Sequence, residues 1–164
     1  MQPINISQIF IGGFLLVVGS LIYIFDRNPD QVWFLYTFDL SHLIGNESRG
    51  IFGKIGQNLP AFIHVFSFSL ISGGLLPSPS KTNYFIVCLL WALVDISFEF
   101  FQSYNKFLFR IIPKWFTGIP FFENIENYFQ NGTFDYLDIL YIAIGSISAY
   151  LVLSVSKKRE IRNG

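Results

Sequence analysis

The chain has 164 residues, a formal net charge of zero, 52% apolar residues, 19% aromatic residues and only 13% charged residues. A soluble domain carries about 25% charged residues, so this composition is too poor in charge for a water-facing surface and suits a bilayer. There is no basic footprint for nucleic acid, and the single cysteine, Cys88, excludes an intrachain disulfide or a cysteine-based zinc site.

The first element is the uncharged run 6–25. No Lys or Arg precedes it and no small-residue cleavage site follows it. A retained transmembrane helix is therefore expected rather than a secretory signal. Gly12 and Gly13 within it read as packing glycines. A long connection, 26–58, follows and includes Trp33, Phe34 and Tyr36.

The second span, 59–76, has no Asp, Glu, Lys or Arg, and Pro60, Pro77 and Pro79 punctuate its ends. A short turn, 77–82, leads to the third span, so these two helices are expected to be antiparallel neighbours. The third span, 83–101, is apolar except for Asp95 and Glu99; Cys88 within it reads as a small buried hydrophobe. A second long connection, 102–135, carries Trp115, Phe116 and several Phe. The fourth span, 136–155, is apolar except for Asp138. Trp and Tyr favour the headgroup region, so both long connections are expected to carry short interfacial helices; ordinary loops folded over the bundle are the alternative.

The expected fold is a single domain of the all-α membrane class. It is a four-transmembrane-helix bundle with two long extracytoplasmic loops. Lys81, Lys157, Lys158, Arg159 and Arg162 cluster close to the spans on one side, which places both termini in the cytoplasm.

Ionisable residues inside spans are costly, and each is a candidate for function. At about 1.5 Å per residue, His64 and Asp95 lie within about 10 Å of the same boundary, with Glu99 and Asp138 nearer to it. Residues three and four apart share a helix face. Three stripes follow: Cys88, Trp91, Asp95, Glu99 and Gln102; Pro60, His64, Ser67, Ile71 and Gly74; Asp138, Ile142, Gly145 and Ala149. Turned inward, they would gather His64, Asp95, Glu99, Gln102, Asp135 and Asp138 in one polar cleft. Carboxylates held together repel and favour acid or base behaviour. Arg27, Arg110 and Lys114 are expected as counter-charges on the same side. The plainer alternative is that these groups only make interhelical hydrogen bonds, with Asp135 an N-terminal helix residue favoured by the macrodipole. Gly145, Ala149, Ser69 and Gly73 are expected to permit close helix approach. No metal-binding or phosphate-binding motif occurs, so neither a metal nor a cofactor is expected.

In order and spacing, these residues resemble the VanZ-like membrane proteins, named for a teicoplanin-resistance protein. His64 opens the second span, Glu99-Phe100-Phe101-Gln102 ends the third, and Asp135 and Asp138 open the fourth, with Gly145 following. Ala61 and Ile142 stand where that family often carries Lys and Asn. The resemblance implies a role in the cell envelope, in glycopeptide resistance or lipid handling. Membrane lipids are the expected partners. A non-catalytic subunit assembled with other membrane proteins is the alternative function.

Overall fold

The computed structural model describes residues 4–26, 52–104, 115 and 134–163, with side chains as far as Lys157. Among these residues the fold is all-helical. Four helices make it up: α1 (Ile6–Asp26), α2 (Gly53–Leu75), α3 (Lys81–Ser103) and α4 (Tyr136–Asn163). Each is long and apolar enough to cross a membrane, α4 through Tyr136–Lys157. A helix of 21 to 23 residues spans about 32–35 Å, enough for a hydrocarbon layer of about 30 Å. The protein is an all-α, multi-pass membrane bundle. Its outer surface fits that solvent. Phe10, Phe14, Leu90 and Ile147 are more than half exposed on three different helices, a pattern that water would penalise and acyl chains accept. The two long connections, with their expected interfacial helices, lie outside the described residues, as do Arg27, Arg110 and Lys114.

The helices extend beyond the apolar runs that announce them. α2 starts at Gly53, six residues before the run at 59. Lys54, Gln57 and Asn58 end the apolar pattern but not the helix, because a backbone entering a low-dielectric layer satisfies its polar groups best by continuing the helix. α3 starts at Lys81 because Ser80 and Asn83 form a reciprocal capping box, with the Ser80 hydroxyl accepting from the Asn83 N–H at 3.1 Å. α4 continues past 155 through the basic tail.

α2 is the hub. Some 44% of its most apolar window is buried, against 17–22% for the other helices. α2, α3 and α4 form a three-helix core, and α1 packs against α2. Asn5, just before α1, donates its N–H to the Gly74 carbonyl at the end of α2 (2.9 Å), so α1 and α2 are antiparallel. α3 is antiparallel to α2, as the short turn predicts. α4 runs parallel to α2, Asn58 meeting Asp138 at one end and Gly73 meeting Leu153 toward the other.

Two apolar clusters fill the core. Val65, Ala92 and Ile142 form one near mid-span. Leu70, Tyr84, Cys88, Ala149 and Leu153 form the other, toward the end that holds the α2–α3 turn. Cys88 is buried there, as expected of a small hydrophobe. The helices come close through glycine. A Cβ on Gly12 would stand 2.8 Å from the Ser67 carbonyl oxygen of α2, and one on Gly145 would stand 2.7 Å from the Phe62 carbonyl oxygen. Gly73 seats Leu153, while Ser69 and Ala149 are fully buried. Gly13, paired with Gly12 in the sequence, faces open space instead.

Candidate functional site

Three helices each deliver a carboxylate to a polar group on or beside α2, all in the half of the bundle away from the α2–α3 turn. α1 ends in Asp26, which is buried; its Oδ1 accepts the N–H of Phe52, immediately before α2, at 2.9 Å. The carboxylate lies against Gly56, where any Cβ would stand 2.5 Å from Oδ2. A negative charge at the C-terminus of its own helix is unfavourable, but Asp26 also sits at the N-terminus of α2, where the helix dipole favours it.

α4 begins with Asp135 and Asp138, which share one donor. The buried amide of Asn58 donates to Asp138 Oδ1 at 2.9 Å and to Asp135 Oδ2 at 3.2 Å. The other oxygen of Asp135 accepts the Leu137 N–H at 2.9 Å, so this residue caps its own helix and joins α4 to α2 at once. One amide bridging two acids offsets the repulsion that would otherwise part them.

α3 supplies Asp95, which is 8% exposed. Both of its oxygens lie 2.9 Å from Nδ1 of His64. Carboxylate oxygens only accept, so this geometry assigns the ring proton to Nδ1 and turns Nε2 away from α3. The His64 side chain is 47% exposed. Nε2 has no hydrogen-bond partner among the described residues. Phe68 meets the imidazole edge-on with centroids 4.6 Å apart and stacks on Trp91 at 4.5 Å. The Trp91 indole N–H is anchored by the Ser72 hydroxyl at 2.9 Å. The pair is thus fixed on one side by a buried acid and walled by two aromatic rings, with the imidazole half-exposed.

The stripes drawn from the sequence are only partly the faces the bundle uses. On α3, Cys88 and Asp95 are buried, and Glu99 and Gln102 are half-buried on the same face. On α4, Asp138, Ile142, Gly145 and Ala149 are all buried. On α2 the stripe divides. Ser67, Ile71 and Gly74 pack against α1, whereas His64 shares its side with Phe68 and Ser72 against α3. The reason is that α2 is surrounded on three sides, so it has no single inward face. The candidate cleft residues accordingly divide between two sides of α2. Asp135 and Asp138 join Asn58 toward α4. Asp95 joins His64 toward α3, with Glu99 and Gln102 farther along α3.

Two participants escaped the sequence reading, Asn58 and Asp26. Asn58 sits just outside the apolar run, at the depth where Asp138 needs a donor. Asp26 carried a clearer signal: an acid at a helix C-terminus calls for a favourable partner elsewhere. Among the described residues no group of three His, Cys, Asp or Glu is arranged to hold a metal. No protein-family model, curated protein or solved structure matches the chain.

Proposed function

We propose that the chain is a VanZ-like protein of the bacterial plasma membrane that binds a membrane amphiphile at the polar end of its bundle, with both termini in the cytoplasm. The observation that carries this reading is the half-exposed His64. Intramembrane ionisable groups almost always face a protein interior or a wet cavity. Here an imidazole oriented by the buried Asp95 is itself 47% exposed. Such a group is spent on something that comes from the bilayer. Phe68 and Trp91 beside it offer an apolar wall for a chain. The resemblance gives the setting, a glycopeptide-resistance-like role in the envelope.

The test has two arms. Full-length protein purified in mild detergent should retain lipid detectable by native mass spectrometry, and His64→Ala should lose it while keeping its helical circular dichroism. Expression in a glycopeptide-sensitive bacterium should raise teicoplanin tolerance, again dependent on His64. Lipid retention identical in wild type and variant rejects the binding reading; unchanged tolerance rejects the resistance role.

A second reading is a structural subunit of a larger membrane complex. The observation favouring it is that Asp26, Asp95 and Asp138 are each used in an interhelical bond. A stoichiometric protein partner on mild purification, with no bound lipid, is its expected result.

A further inference from the structure

Gln8 buries an entire amide without a partner among the described residues. It lies in the first turn of α1, two residues past Ile6, and is 3% exposed. Its backbone N–H is spent on Asn5, donating to the side-chain Oδ1 and to the carbonyl oxygen, each at 3.2 Å. Its side-chain Oε1 and Nε2 are both buried and make no hydrogen bond. Ser67 and Ser69 also bury unbonded hydroxyls, but a hydroxyl can turn to the carbonyl one turn earlier in its own helix. A whole amide taken out of water without partners is costly on both its donor and its acceptor side.

The surroundings are polar along the backbone. α1 begins here and α2 ends here. The Asn5 N–H donates to the Gly74 carbonyl at 2.9 Å, and the Gln8 Cβ lies 3.2 Å from where a Cβ on Gly74 would stand. A carbonyl oxygen has two lone pairs, so Gly74 can take a second donor. At about 1.5 Å per residue, Gln8 is about 3 Å along the axis from the start of its helix, so the site sits at the rim of the bundle and not at mid-span. Water reaches that level without crossing the hydrocarbon layer.

The class of occupant follows from the amide. Oε1 needs a donor and Nε2 needs an acceptor. A cation would serve only the oxygen, and an anion only the nitrogen; water serves both. A lipid headgroup needs an open surface, and Gln8 is nearly closed. We infer that ordered water is bound on the Gln8 amide, donating to Oε1 and accepting from Nε2, with the Gly74 carbonyl as a further partner. Direct contacts between α1 and α2 at this end are steric, and the water adds the polar one. It ties the start of α1 to the end of α2. The site lies at the opposite end of the bundle from His64 and does not depend on amphiphile binding.

The test is a structure of the full chain grown from a lipid mesophase, with ordered water visible, for wild type and Gln8→Met. Wild type should show water within about 3.2 Å of both Oε1 and Nε2. Gln8→Met, which keeps the length of the side chain and removes its polar atoms, should lose that water. Its thermal midpoint should stay level or fall, because no orphaned amide was present to be relieved. A dry amide, or one bonded directly to protein atoms, overturns the inference. So does a peak ringed by oxygens at about 2.3–2.6 Å, which marks a cation, or continuous density for a lipid headgroup. A midpoint that rises by more than about 2 °C in Gln8→Met also overturns it, since that gain is expected only where an unpaired amide has been removed.

Discussion

At the polar end, α2 is tied to its neighbours by side-chain chemistry: Asp26 on the Phe52 N–H, Asp138 on Asn58, Asp95 on His64. From mid-span to the opposite end it is tied by shape, with Gly12 and Gly145 against α2 carbonyls and Gly73 under Leu153. The two modes serve different purposes. Interhelical hydrogen bonds in membranes average about 0.6 kcal/mol and rarely exceed about 1.7, because the separated helices find other partners. Close packing has no such competitor once the helices meet. The glycine seams therefore hold the bundle, while the polar bonds fix register and hold one half-exposed imidazole in place. A protein that needed only stability would have little reason to keep three acids at one end.

The largest test of this division is at His64. Replacing it with Leu leaves the buried Asp95 carboxylate without its donor and should cost about 3 kcal/mol, chiefly the desolvation penalty of an unpaired buried acid rather than the worth of the bond itself. Replacing both residues with Leu should recover most of that loss, since no buried carboxylate is then left unpaired. Unfolding of the full chain in mixed micelles measures both; a double variant as unstable as the single one would show that the pair does not organise this end. Next comes Gly145→Leu, which drives side-chain atoms into the Phe62 backbone and should cost about 1–3 kcal/mol. A loss below 0.5 kcal/mol, on the order of ordinary surface changes, would break the claim that glycine seams hold the bundle.

Asn58→Leu should cost about 1–2 kcal/mol by removing two interhelical bonds and leaving Asp135 and Asp138 unbridged. Lipid retention at His64 should be unaffected, because Asn58 faces α4 and His64 faces α3. Loss of lipid in that variant would mean that the two polar groups work as one. The smallest effect is at Gly13, where a Cβ meets open space. Gly13→Ala should stabilise by up to about 1 kcal/mol through helix propensity, whereas Gly12→Ala one residue away should destabilise. Equal signs for the two would remove the distinction between a seam glycine and a lipid-facing one.

Much of this was legible in the chain. The four spans, the tight turn between the second and third, and the shared depth of His64, Asp95, Glu99 and Asp138 follow from apolar length and the rise of a helix. Both need only local information. The partner of each acid was not legible. Asn58 lay past the end of an apolar run, and Asp26 looked like the start of a loop. Each becomes meaningful only when another helix arrives beside it.

The sequence alone determined that this is a multi-pass helical membrane protein with the acidic residues of its spans and His64 toward one end. Hydrophobic length and the cost of unpaired backbone in lipid leave no other solution for such a composition. Tertiary structure decided that α2 is the hub, that its polar residues divide between α3 and α4, and that His64 is turned outward against Asp95. Those outcomes depend on which small residues let which backbones approach, and helix periodicity is the same whichever neighbour is chosen.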